Sequence, residues 1–155
     1  MVTPQQVLLP RHHCKRYSDW RDPPTTCDCC GCPVEFCSHA VLYEGQEFGE
    51  WPFIYYCKGC GASIGVHPYS IFPLGTMADS ATRRARSAVH AIIDPMWKSG
   101  RFLRSEVYSR MAKLTGRATF HTGELSLQEC HDAVAAFRAA WETVDDFGPS
   151  SKYDY

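Results

Sequence analysis

From residue 79 onward, apolar side chains recur every three or four positions, the period of a helix with one buried face. In DSATRRARSAVHAIIDPMW (79–97), Ala81, Ala85, Ala88, Val89, Ile92, Ile93 and Met96 share one side. At about 100° per residue, Arg83, Arg86, Ser87, His90 and Asp94 fall in a narrow arc opposite, with Arg84 to one side. Asp79 or Ser80 can cap the start. Pro95 is expected to kink or shorten the last turn, and Ser99 with Gly100 to end the element. A second helix is predicted across SEVYSRMAKL (105–114), with Val107, Tyr108, Met111 and Leu114 inward and Gly116 closing it. Its outer face carries Arg104, Arg110 and Lys113. A third begins at SLQE (126–129), a capping box in which Ser126 and Glu129 each satisfy the other's backbone N–H. Leu127, Cys130, Val134, Phe137, Trp141 and Val144 then repeat as a core stripe.

The first half follows another rule. Short strand-like runs stand at PVEF (33–36), AVLY (40–43), PFIYY (52–56) and ASIGV (62–66). The predicted fold is therefore α+β: a small antiparallel sheet packed against about three C-terminal helices. The expected divisions are an irregular leader (1–26), a sheet-and-cysteine segment (27–75), a helical part of the same domain (76–146) and a tail (147–155).

Composition fits this picture. The 155 residues are 45% hydrophobic and 21% charged, a globular balance and a length typical of one domain. The formal net charge of −1 hides a division. Residues 22–50 carry six acidic and no basic side chains. Residues 83–117 carry nine basic against two acidic, a balance of +7, and residues 118–155 return to −5. A basic middle of this kind suits a polyanion or an acidic partner, or a solvated helix face. No apolar run reaches the roughly 18 residues of a membrane span, and no secretory signal is evident, so a cytoplasmic setting is expected.

Nine cysteines without a secretory signal point to reduced thiols and metal rather than disulfides. Zinc takes four soft ligands in a tetrahedron, and two CxxC turns supply two each. The second turn is CKGC, Cys57 and Cys60. The first lies in CDCCGC (27–32), where Cys27 with Cys30 competes with Cys29 and Cys32. A knuckle turns tightly after its second cysteine, and glycine tolerates the positive φ. Cys30 and Cys60 are each followed by glycine, whereas Cys32 is followed by Pro33, which has no N–H. The ligands chosen are Cys27, Cys30, Cys57 and Cys60, holding one structural Zn2+ in a zinc ribbon. Cys29 and Cys32 remain able to exchange into the site. His39 and His67 stand as reserve ligands, and His67 can instead orient a ligand through a hydrogen bond. Cys37 and Cys130 read as small buried apolar residues. The leader segment RHHCKRY (11–17) reads as a basic arm, with a second metal site at His12, His13 and Cys14 as its alternative.

Four thiolates close the coordination sphere, whereas a catalytic zinc keeps a place for water. The zinc deaminase pattern is excluded: Tyr56, not proline, precedes the second pair, and no His-x-Glu occurs. No glycine-rich phosphate loop, paired carboxylates or nucleophile triad can be read, which argues against an enzyme and assigns no catalytic residue.

CxxCG at 27–31, CKGCGASIGVHP (57–68), PLGTMADSATRRARSAVHAIIDPMWKSG (73–100) and FHTGELSLQECHDAV (120–134) together resemble a zinc-finger-containing domain family found in bacteriophages and prophages. The resemblance spans roughly residues 25–138 and implies a phage or prophage origin, hence a host cytoplasm, and a zinc site at the four cysteines. It brings no activity with it. Cys29, Cys32, Cys37, the leader and the acidic aromatic tail depart from the pattern.

Two functions follow from the residues. One is nucleic-acid binding, with Arg83, Arg84, Arg86, His90, Lys98, Arg101 and Arg104 tracking phosphates and aromatics among Trp51, Phe53, Tyr55 and Tyr56 stacking on bases. The alternative is a protein-interaction module docking on a host or phage complex, which blocks of opposite charge also suit. A nuclease using His90 and Asp94 stands behind both. No small-molecule substrate and no membrane partner is indicated.

Overall fold

The computed structural model describes residues 21–142, with the side chains of residues 141 and 142 left aside. The expectations for the leader, the tail, Trp141 and Val144 lie outside the described residues. The chain divides into two compact units between Ser80 and Ala81, and each has its own core.

The first unit is a three-stranded antiparallel sheet in the order β1 (Glu35–Ser38), β2 (Phe53–Tyr56), β3 (Ser63–Gly65). β1 pairs with β2 from Glu35–Tyr56 to Ser38–Phe53, and β2 with β3 from Ile54–Gly65 to Tyr56–Ser63. The AVLY run expected as a strand is instead a 3-10 turn, His39–Leu42. The reason is local: Ser38 Oγ accepts the N–H of Ala40 at 3.1 Å, offering the backbone a turn in place of a ladder. After β3 the chain reverses at Tyr69 (φ 57°) and returns beside it, bridging Val66 with Pro73 and Ser63 with Ala78. Two aromatic tips hold that reversal. Trp51 donates from Nε1 to the Ser70 carbonyl at 2.9 Å, and the Tyr55 hydroxyl to the Ile71 carbonyl at 2.7 Å. Burial pushes the Tyr55 phenol up to about 12, so it donates throughout the neutral range. Tyr55, Ile64, Val66, Ala62 and Met77 form the core together with Cys27 and Cys57, flanked by Val34, Phe36, Trp51 and Phe53.

The second unit holds three helices, α1 (Ser80–Lys98), α2 (Arg104–Leu114) and α3 (Leu127–Glu142). Val89, Ile93, Met96, Phe102, Val107, Met111, Phe120, Leu125, Cys130, Ala133 and Phe137 are its buried centre. The capping box forms: Ser126 N–H donates to Glu129 Oε2 at 2.8 Å, and Glu129 N–H to Ser126 Oγ at 3.2 Å. α2 starts with half of such a box, the Leu103 N–H donating to Glu106 Oε2 at 2.6 Å. α1 runs through Pro95. The carbonyl that the proline leaves without an N–H belongs to Ala91, an exposed residue, where water can serve it.

The buried stripe of α1 differs from the expected one. It is Arg86, Val89, Ile93 and Met96, while Ala88 is exposed. Alanine does not mark the face, because a methyl group is small enough to sit at either edge of a core. Arg86, expected among the solvent-facing cations, is 8% exposed and donates from Nε to the Leu125 carbonyl at 2.9 Å. Leu114 and Leu127, expected inward, are 39% and 38% exposed, and Ala112 is buried beside Met111 instead.

Candidate metal centre

The site is built from one turn used twice. In the first knuckle the N–H of Cys27 donates to the carbonyl of Cys32 at 2.8 Å, and the N–H of Gly31 to that of Cys27 at 2.8 Å. In the second, Cys57 N–H donates to the Ala62 carbonyl at 2.9 Å and Gly61 N–H to the Cys57 carbonyl at 2.8 Å. Gly31 and Gly61 both sit at φ 75°, a left-handed conformation that an ordinary side chain resists.

Each turn also aims backbone N–H groups at its sulfurs. Cys29 N–H lies 3.4 Å from Cys27 Sγ, and the N–H groups of Cys32 and Ala62 bond to Cys30 and Cys60. The N–H of Cys60, helped by Cys30 and by the N–H of Gly59, outweighs burial and holds the Cys57 thiol down at about 7. Such donors favour the thiolate, the form in which cysteine binds metal, although at Cys30 and Cys60 they are outweighed and the neighbouring thiols push both up.

The second turn joins β2 to β3, and the sulfurs of the first meet its own. The sulfurs of Cys27 and Cys60 are 3.6 Å apart, those of Cys30 and Cys57 3.5 Å, and all four lie within 4.8 Å of one another. A tetrahedral ion with Zn–S bonds of about 2.3 Å needs sulfurs roughly 3.8 Å apart. The donor set and its spacing therefore fit one structural Zn2+, bound by Cys27, Cys30, Cys57 and Cys60. Bound there, zinc would supply a cross-link. Cys27 and Cys57 are buried and Cys30 and Cys60 exposed, so the sulfurs close the site from both sides. Asp28 ties the first knuckle to the returning chain by accepting the Met77 N–H at 2.8 Å. This carboxylate role carried no signal in the sequence pattern.

Cys29 and Cys32 border the four without joining them. The Cys29 thiol points to the Met77 carbonyl at 3.8 Å. Cys32 lies over Gly59, where an added Cβ would come within 2.9 Å of its sulfur. His39 accepts the N–H of Phe48 on Nε2 at 2.9 Å, within a ring cluster that includes Tyr43. His67 donates its backbone N–H to the Phe72 carbonyl at 2.9 Å, in the reversal after β3. Cys37 is half-buried and Cys130 fully buried. Among the described residues, the four ligands are the one set of three or more His, Cys, Asp or Glu side chains gathered closely enough for an ion.

The remaining residues singled out from the sequence fall in the helical unit. His90 Nδ1 is 3.3 Å from Asp94 Oδ1, which also accepts from Trp97 Nε1 at 3.3 Å, while Lys98 reaches Asp94 Oδ2 at 3.2 Å. Burial disfavours the Asp94 carboxylate, but His90 and Lys98 outweigh it and hold the acid below its ordinary range. A carboxylate engaged at both oxygens is a structural anchor more than a proton acceptor. Lys98, Arg101 and Arg104 are exposed and lie against rings at the α1–α2 junction. Lys98 Nζ is 5.4 Å and the Arg104 guanidinium 5.7 Å from the Trp97 ring centre. Arg104 is also 4.6 Å from Tyr108, and Arg101 5.3 Å from Phe102. Trp97 and Phe102 were not singled out from the sequence, although WKSGRFLR (97–104) interleaves rings with cations. Arg83 and Arg84 sit about four turns toward the start of α1, roughly 20 Å away along the axis. Arg84 is exposed and Arg83 half-buried.

A three-stranded antiparallel sheet carrying two matched knuckles and four convergent thiolates, in a chain that also holds three helices, defines an α+β zinc-ribbon protein. The model of the zinc-finger-containing domain family matches residues 23–140, and the chain belongs to that family. No curated protein and no solved structure matches it. Among the described residues, no helix is long and apolar enough to cross a membrane.

Proposed function

We propose that this protein is a nucleic-acid-binding accessory protein whose contact surface is the cation–aromatic cluster at the α1–α2 junction. The observation that carries this reading is the Arg104 guanidinium lying 4.6 Å from Tyr108 and 5.7 Å from Trp97, with Lys98 against the same indole. Guanidinium planes and ring faces both accept a stacked base, and the exposed cations beside them neutralise phosphates. Arg83, Arg84 and His90 extend the cationic side along α1, whereas buried Arg86 serves the fold and drops out. The ion in the ribbon shapes the protein and takes no part in chemistry, since four sulfurs leave no position for water. A reducing cytoplasm, as expected for a phage-type protein in its host, keeps those sulfurs available.

Fluorescence anisotropy with a labelled single-stranded oligonucleotide tests the reading. Lys98→Ala, Arg101→Ala and Arg104→Ala combined should weaken binding and flatten its salt dependence by about 2 in log–log slope, near 0.7 per lost phosphate contact. Binding that keeps both its affinity and its slope in this variant would remove the α1–α2 junction as the contact surface.

A further inference from the structure

The ribbon carries a second surface of opposite character, on the loop between β1 and β2. Val41, Tyr43 and Phe48 are 53%, 49% and 54% exposed, a group of large apolar side chains set in water. They are not the product of a slack loop. Tyr43 and Phe48 meet edge to face at 5.4 Å, and both pack on the His39 ring, at 5.1 and 5.9 Å. His39 accepts the Phe48 N–H at 2.9 Å, and Ser38 Oγ donates to Glu47 Oε1 at 2.7 Å. Both Tyr43 and Gly45 donate their N–H to the Ala40 carbonyl, at 3.1 and 2.9 Å, and His39 N–H ties the base to Pro52 at 2.8 Å. The loop is held in one shape with its rings turned out, which removes much of the ordering cost a partner would otherwise meet.

Charge narrows the partner. Glu44, Glu47 and Glu50 of the same loop are exposed, Glu47 accepting from Ser38 and Glu50 from the Tyr69 hydroxyl, and residues 22–50 contain no lysine or arginine. Lys58 pairs with Glu35 at 2.9 Å, where β1 meets Tyr56, which is the opposite end of the β1–β2 ladder from this loop. An acidic, aromatic surface repels phosphates and lipid headgroups and favours arginine and lysine beside an apolar side chain.

We propose that the 39–50 loop is a docking site for a basic protein segment, an arginine- or lysine-rich stretch that places an apolar side chain against Tyr43 and Phe48. This surface is independent of the α1–α2 cluster: the two take partners of opposite charge, and either can fail without the other.

The test uses the full zinc-loaded chain and a fluorescein-labelled peptide of alternating arginines and leucines. Its controls are the same peptide with glutamate for arginine and an oligo-lysine of equal charge. The arginine–leucine peptide should bind, with each control at least about tenfold weaker. Tyr43→Ser with Phe48→Ser should cost at least about tenfold in affinity, as should Glu44→Lys, at an exposed position outside the ring cluster. Zinc content should stay at one ion, and oligonucleotide binding should not fall in either variant. Peptide affinity unchanged in Glu44→Lys, or oligo-lysine binding as well as the arginine–leucine peptide, would overturn the proposal. So would a concentration-dependent dimer dissolved by the same substitutions, since a second copy would then be the occupant.

Discussion

Arg86 Nε donates to the carbonyl oxygen of Leu125 at 2.9 Å, so a buried guanidinium on α1 holds the residue just before the cap of α3. Replacing Arg86 with methionine keeps an apolar stem of similar length but leaves that carbonyl without this donor. The expected loss is about 1–3 kcal/mol, read as a lower denaturant midpoint with the slope unchanged. Arg84→Met, at an exposed position two residues away, should stay within roughly 0.5 kcal/mol of the parent. Equal effects at the two positions would contradict the assignment of Arg86 to the core.

The four ligands and the two bystander thiols should separate cleanly by metal content. Native mass spectrometry is expected to find one zinc ion in the parent and in Cys29→Ser with Cys32→Ser. Cys57→Ser should lose the ion and, with it, the near-ultraviolet signal of Trp51 and Tyr55 in the ribbon core. Retention of one tightly held ion by Cys57→Ser would mean that another residue completes the site.

Gly59 is required for space rather than for backbone freedom. A methyl group there would stand 2.9 Å from Cys32 Sγ and 3.1 Å from its Cβ. Gly59→Ala is expected to destabilise the ribbon by about 1–3 kcal/mol, the usual range for overpacking. Adding Cys32→Gly, which removes both atoms, should recover most of that loss. A double-mutant cycle on the zinc-loaded chain measures the coupling, and simple additivity would show that the close approach is relieved some other way.

The start of α3 should be acid-sensitive. Glu129 accepts the Ser126 N–H, and that bond, together with the Arg117 guanidinium at 2.8 Å, outweighs burial and holds its carboxyl below the ordinary 4.5. A carboxyl depressed in the folded state stabilises the fold above its unfolded value of 4.5, and that contribution fades as pH falls through the folded one. Glu129→Gln should therefore lower stability at pH 7 and flatten its fall below about pH 4.5. Ser126→Ala should cost about 1 kcal/mol at pH 7 and less at pH 4, because the Ser126 hydroxyl also helps to hold the Glu129 carboxyl down.

Much of this fold is legible in the sequence, for reasons specific to certain residues. The knuckles were readable because glycine after cysteine reports a backbone angle and proline after Cys32 reports a missing donor; both are local properties of the chain. The Ser126–Glu129 box was readable for the same reason. The face of α1 was not, because Ala81, Ala85 and Ala88 look apolar while burying little, and because an arginine can enter a core when a carbonyl such as that of Leu125 awaits it. That carbonyl is 39 residues away, and no local pattern announces it. The 40–43 run has strand composition, but Ser38 Oγ takes the N–H of Ala40. The ring platform at Trp97 and Tyr108 depended on the path between α1 and α2, which periodicity does not describe.

Of the two cores, only that of the ribbon contains zinc ligands, Cys27 and Cys57, so the ion bears directly on the stability of that core. The ribbon should respond to the ion as any folded state does to a ligand it alone binds: each tenfold fall in free zinc removes about 1.4 kcal/mol while the site remains near saturation. The helical core contains no such ligand and has no direct share in that dependence. Calorimetry at graded zinc activity should accordingly move the heat absorption of the ribbon along the temperature axis, down as free zinc falls.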